Sequence, residues 1–123
     1  MTFKSTLSNL LVITEPVYKK VFALVDAPVI SIDASLANEF TVTIAGNRTL
    51  GAPTNPADGQ KVSLRIKQDA VGSRTLAFNA IYRFGTDIPS IVLSTAPNAE
   101  DYIGIIYNLT DNKWDVVALT RGF

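Results

Sequence analysis

Apolar and polar residues alternate with a period of two over much of this chain. Val62, Leu64 and Ile66 alternate with Lys61, Ser63, Arg65 and Lys67, so an extended segment here presents one greasy and one charged face. Phe40, Val42 and Ile44 alternate with Thr41 and Thr43 in the same way, and Ile30 and Ile32 with Ser31 and Asp33. Val17, Val21 and Phe22 frame Lys19 and Lys20 less regularly. Shorter apolar groups follow at Leu76 to Phe78 and Ile91 to Leu93. Tyr102 to Tyr107 and Trp114 to Leu119 are nearly continuous apolar runs, which predicts strands covered on both faces, one face by another chain.

Turn residues punctuate these runs. Gly46-Asn47 is suited to positive φ, Asp58-Gly59 is a strong turn pair, and Asp69 to Gly72 is expected to close a hairpin. Gly85-Thr86-Asp87 and Asp111-Asn112 play the same part later, while Pro53 and Pro56 mark an extended loop. About eight short strands at this spacing predict an all-β fold, an antiparallel β-sandwich of jelly-roll type. Helical periodicity is weak. Residues Thr6 to Ile13 offer one turn and Ala96 to Asp101 another, with Pro97 placed for a first helical position. Residues 1–28 lack glycine and end at Pro28, so they read as an N-terminal arm or first strand, with the β-sandwich domain over 29–123.

Composition narrows the chemistry. The 123 residues suit one domain, and 47% hydrophobic against 18% charged residues is a globular balance on the apolar side. Eleven basic and eleven acidic side chains cancel, so no net field draws in nucleic acid or anionic lipid. There is no histidine and no cysteine, which removes imidazole bases, thiol nucleophiles, disulfides and Cys/His metal sites. No apolar run approaches the length of a membrane span, and the interrupted stretch from Leu7 to Ile13 is not a signal peptide by pattern. No catalytic, cofactor-binding or metal-binding residue is assigned, and no cofactor is expected.

The remaining clusters each have a structural reading. Glu100 with Asp101, and Asp111 with Asp115 around Trp114, offer paired carboxylates but read as solvated turn residues. Gly46 to Gly51 has the glycines of a phosphate loop without its Lys-Ser/Thr ending, so it reads as a turn. Asn47-Arg48-Thr49 and Asn108-Leu109-Thr110 match a glycosylation pattern by chance. Arg65, Lys67 and Arg74 read as solvated strand faces. Tyr82, Tyr102, Tyr107, Trp114 and Phe123 are suited to a sugar-stacking platform, but such rings more often fill a core or a subunit contact. Tyr102, Tyr107, Trp114 and Phe123 are therefore the candidate interface, and Gly46, Asn47, Asp58, Gly59 and Gly72 the candidate structural turns.

Beyond periodicity, an ordered series of short strings runs through the middle of the chain. It comprises Ile32-Asp33-Ala34-Ser35, then Phe40 to Leu50 with Gly46-Asn47-Arg48-Thr49-Leu50, then Pro53-Thr54-Asn55 and Asp58-Gly59-Gln60. Ile66-Lys67-Gln68-Asp69, Gly72 to Leu76, Ala96 to Asp101 and Lys113-Trp114 follow. The series resembles a β-sandwich module that recurs in tailed-bacteriophage virion proteins, both head decoration proteins and tail fibre-type appendages. The resemblance spans about Ile30 to Trp114 and implies a non-enzymatic structural role. Only about 28 residues precede the module here, which favours a capsid decoration (cement) protein over a tail fibre. The partners implied are sister copies in a homotrimer and the major capsid protein, with the amino-terminal segment as a clamp and the virion as the location. The alternatives are a tail fibre tip that binds a receptor or host surface glycan, and a minor tail or baseplate protein.

Overall fold

A computed structural model describes residues 20–123, among which there is no helix and nine strands. They are β1 (Phe22–Ala23), β2 (Val29–Ile30), β3 (Glu39–Ile44), β4 (Arg48–Leu50), β5 (Lys61–Gln68), β6 (Leu76–Phe78), β7 (Tyr82–Phe84), β8 (Glu100–Asn108) and β9 (Lys113–Thr120). A six-stranded sheet has the order β1-β3-β5-β8-β9-β7, and a three-stranded sheet the order β2-β4-β6. The all-β reading holds; the strand inventory and the pairing differ from expectation. The helical turn suggested at Thr6 to Ile13 and the start of the 1–28 segment lie outside the described residues.

The first six strands alternate between the sheets, so the chain winds rather than meanders. β1, β3 and β5 stack in parallel in one sheet, and β2, β4 and β6 in the other. Aligned positions form apolar rungs: Phe22 beside Phe40 beside Leu64, and Ile30 beside Leu50 beside Phe78. Phe22 and Phe40 meet edge to face at 6.0 Å between centroids. After β6 the chain changes habit. β5, β8 and β9 pair antiparallel, and β7 closes the far edge in parallel with β9. Five of the seven ladders are therefore parallel, which corrects the antiparallel expectation.

Individual elements show why. The segment Asp69 to Gly72 does not close a hairpin, because β5 and β6 belong to different sheets. Gly46 and Asn47 are not at positive φ; they form the corner where the chain leaves one sheet for the other. Asn47 instead accepts the Thr75 N–H on its Oδ1 at 3.0 Å, tying that corner to the start of β6. The segment Ile91 to Leu93 is not a strand. Side chains hold it and the residue that follows: Arg121 donates to Val92 O, Asp101 accepts from Ser94 N, and Gln68 donates to Ser94 O. Ala96 to Ala99 is a single turn with Asn98 at φ 60°, not a helix start.

One hydrophobic cluster joins the two sheets. Ile30 and Leu50 meet Phe40, Ile44, Leu64, Ile103, Ile105 and Trp114, all at most 2% exposed. Alternation does the sorting: in β5, every second residue from Val62 to Gln68 is buried. Two polar side chains are buried among them, and both are saturated. Gln68 donates to Arg74 O and Ser94 O and accepts from Arg74 N, each at 2.9 Å. Asp101 accepts Ser94 N at 2.7 Å and Gly122 N at 3.0 Å. Burial without such partners would cost more than the bonds return, so these two residues fix the loop after β7 and the C-terminal end.

Candidate interaction surface

The aromatic residues expected to form one interface fall into two groups. Tyr107 and Trp114 are 5% and 0% exposed and pack against each other at 5.1 Å inside the core. The Tyr107 hydroxyl donates to Asn112 Oδ1 at 2.8 Å, which braces the β8–β9 turn. Trp114 Nε1 is buried with no hydrogen-bond partner among the described residues, so this ring serves packing at a polar cost. Tyr82 is also buried, and its hydroxyl donates to Gly51 O at 2.8 Å, linking β7 to the end of β4. Burial pushes that phenol well above its usual range.

Tyr102 and Phe123 lie on the surface instead, 36% and 64% exposed, with rings edge to face at 5.7 Å. Phe123 is carried there by reciprocal main-chain bonds with Glu100 at 2.9 and 3.0 Å. Along the same outer face of the six-stranded sheet, the alternation of β8 turns Gly104 and Ile106 outward beside Tyr102. Val117 and Ala118 of β9 adjoin them, opposite the irregularity between Gly104 and Ile105. Val117 is 52% exposed. A Cβ on Gly104 would come within 3.0 Å of Ala118 Cβ, so the two strands approach closely there. A shallow depression of about 230 Å³ lies next to this strip, between Lys61, Ser63, Ile106 and Val117. Within this chain β8 and β9 are covered on one face only, and the second face is the one expected to meet another chain.

The charged candidates are engaged with one another. Arg83 donates to Asp115 Oδ1 at 2.6 Å and to Asp111 Oδ2 at 3.0 Å, and these two carboxylates hold its guanidinium pKa above the usual value. Arg74 donates to Asp69 at 2.9 Å, and that contact, followed by the Gly72 N–H, lowers the Asp69 carboxyl to about 2. Arg48 forks onto Asp26 at 2.7 and 3.0 Å and lowers its pKa, pinning the β1–β2 connection to β4. Ser35, then Asn55, lower Asp33 by donating to it. Arg65 reaches Thr41 Oγ1 and Glu100. Of the basic stripe, Arg65 and Arg74 are engaged in this way. Asp101, which a carboxylate mechanism would need in a cleft, is 2% exposed with both oxygens taken by main-chain N–H groups.

Among the turn residues, Gly59 and Gly72 take φ of +75° and +78°. Asp58 accepts the Leu109 N–H at 3.1 Å, and Gly59 N donates to Tyr107 O, so this turn is docked on the end of β8. Among the described residues no group of three or more acidic, His or Cys side chains is placed to hold a metal ion, and no helix is long and apolar enough to cross a membrane. Comparison with family models, with curated proteins and with solved structures finds no match for this chain in any of the three.

Proposed function

We propose that the two sheets form a β-sandwich and that the chain is a non-enzymatic structural protein of a phage virion, a capsid decoration protein that stabilises the assembled head. The observation that carries this reading is an apolar strip on the outer face of β8 and β9. Tyr102, Ile106, Val117 and Ala118 stand there between Glu100, Asp115 and Thr120, with Phe123 against Tyr102, and exposed apolar surface rimmed by polar residues marks a contact site. Contact with sister copies in a trimer, and with the capsid protein beneath, removes that surface from water at about 25 cal/mol per Å². Binding to the assembled shell alone then stabilises it by mass action, about 2.7 kcal/mol for a hundredfold excess over Kd. The resemblance described above supplies the virion context, and the engaged charges of Arg83, Arg74 and Asp101 suit a structural role.

A second reading rests on the exposed Tyr102–Phe123 pair, whose ring faces suit the C–H faces of a host surface glycan at a tail tip. Copy number separates the two. Quantitative mass spectrometry of purified particles should give hundreds of copies per particle, and light scattering should give a trimer in solution. A few copies per particle, with glycan binding that Phe123→Ala abolishes, would replace the decoration reading by the tail reading. Absence from particles would overturn both.

A further inference from the structure

The apolar strip on the outer face of the six-stranded sheet runs between two borders of different charge. Successive rungs across β5, β8 and β9 are Lys61–Ile106–Asp115, Ser63–Gly104–Ala118 and Arg65–Tyr102–Thr120. The β5 border is basic, with Lys61, Arg65 and Lys67 on its outward positions. Arg65 and Lys67 have Glu100 beside them on β8, by an ion pair at 3.9 Å and by register respectively. Lys61 has no ion-pair partner among the described residues, and Glu39, the acid nearest to it by register on β3, lies beyond ion-pair distance. On the β9 border Asp111 and Asp115 share the single guanidinium of Arg83, which leaves one negative charge over. Lys113 of the same strand is bonded to Ala80 O instead. An uncompensated cation and an uncompensated carboxylate therefore stand at opposite ends of one rung, with Ile106 between them.

That order carries a symmetry. Rotation about an axis parallel to β8 preserves height along the strand, so in a ring of copies the β5 border of one meets the β9 border of the next, with Lys61 level with Asp115. Shape agrees with charge at this level. Val117 is the extra residue of the irregularity in β9, between Val116 and Ala118 of the register, and is 52% exposed. The depression of about 230 Å³ is bounded at the same height by Lys61 and Ser63 of β5 and by Gly104 and Ile106 of β8. A two-fold axis across the strands would instead set the Lys61, Arg65 and Lys67 border against its own copy, where like charges repel.

We infer that copies of this chain close around an axis parallel to β8, Lys61 of each pairing with Asp115 of the next, and that the next copy's Val117 fills the depression beside Gly104. The inference rests on the homotrimer proposed above and adds which faces meet and in what register.

The chain lacks cysteine, so Lys61→Cys combined with Asp115→Cys reports this contact alone. Within one chain the two positions are two strand spacings apart, about 10 Å, beyond the roughly 7 Å that a disulfide spans. Every bond formed therefore joins two chains. The variant is oxidised at a concentration where light scattering shows the assembled form, and the products are weighed intact under denaturing conditions. The expected product is a closed ring of three chains with no free thiol. A trimer in which no bond forms overturns the inference and leaves the trimer reading standing, and an open-ended ladder of chains also overturns it. A closed ring of two chains supports the axis and overturns the trimer; single chains at every concentration overturn both. Charge reversal gives an independent reading, because Lys61→Glu and Lys67→Glu change the net charge equally. Lys61→Glu should raise the dissociation constant of the assembly at least about tenfold more than Lys67→Glu. Equal effects overturn the inference even if the cysteine variant folds poorly.

Discussion

Replacing Gly72 by alanine is the most discriminating perturbation of this fold, because Gly59 provides its internal control. Both glycines have nearly the same backbone conformation, φ +78° and +75°. Any other residue there pays a left-handed penalty of about 1 kcal/mol. Their surroundings differ. A Cβ on Gly59 would meet nothing within 4 Å, so Gly59→Ala should cost the conformational penalty alone. A Cβ on Gly72 would lie 2.6 Å from Thr95 O, 2.9 Å from Pro97 N and 3.1 Å from Ala96 C. All three are main-chain atoms, so the segment around Thr95 must move away. That movement strains the bonds Ser73 N to Thr95 O and Asn98 N to Asp69 O, at 2.8 and 2.9 Å. Each is worth about 1 kcal/mol net, so Gly72→Ala should cost about 3 kcal/mol in total. For a domain of this size 1 kcal/mol shifts Tm by roughly 4 °C. Thermal melts should show Gly59→Ala down by about 4 °C and Gly72→Ala by about 12 °C. Equal shifts in the two variants would refute the claim that close main-chain approach, and not φ alone, makes Gly72 necessary.

Two further outcomes follow from side chains that tie the winding together. Asp69 has a folded pKa of about 2, below its unfolded value, so the stabilisation is complete above that unfolded value and is lost as pH falls from about 4 toward 2. Melts between pH 6 and pH 2 should show a smaller acid loss in Asp69→Asn than in the parent, and an identical pH profile would refute the assignment to the Arg74 contact. Tyr82→Phe removes the donor to the buried carbonyl of Gly51 and should destabilise by about 1–3 kcal/mol in denaturant titration. A change under about 0.5 kcal/mol would show that this carbonyl finds another partner.

Period-two alternation in Phe40 to Ile44 and Val62 to Ile66 was enough to place β3 and β5 and the faces they bury, because side-chain direction in a strand is a local property. The pair Asp58-Gly59 was legible for the same reason: positive φ is a demand on one residue. β4 and β7 were not legible. Arg48-Thr49-Leu50 reads as part of a turn, and Tyr82-Arg83-Phe84 is three residues between loops; each becomes a strand only because a neighbour supplies its ladder. The surface residues divide in the same way. Composition identified Tyr102, Tyr107, Trp114 and Phe123 as large rings with contact potential, yet nothing local distinguishes the buried pair from the exposed one. That division depends on which side of the six-stranded sheet meets the core.

The amino-acid order therefore determined that the chain is β, which faces of β3 and β5 turn inward and that Gly59 and Gly72 take positive φ, since each is settled within a few residues by sterics and periodicity. Whether Gly46-Asn47 folds a strand back on itself or passes the chain to the other sheet was decided only in three dimensions. Strands 18 to 28 residues apart must stack before either choice has a partner, and the free energy of that stacking comes from rungs such as Ile30, Leu50 and Phe78 that the chain assembles from distant places.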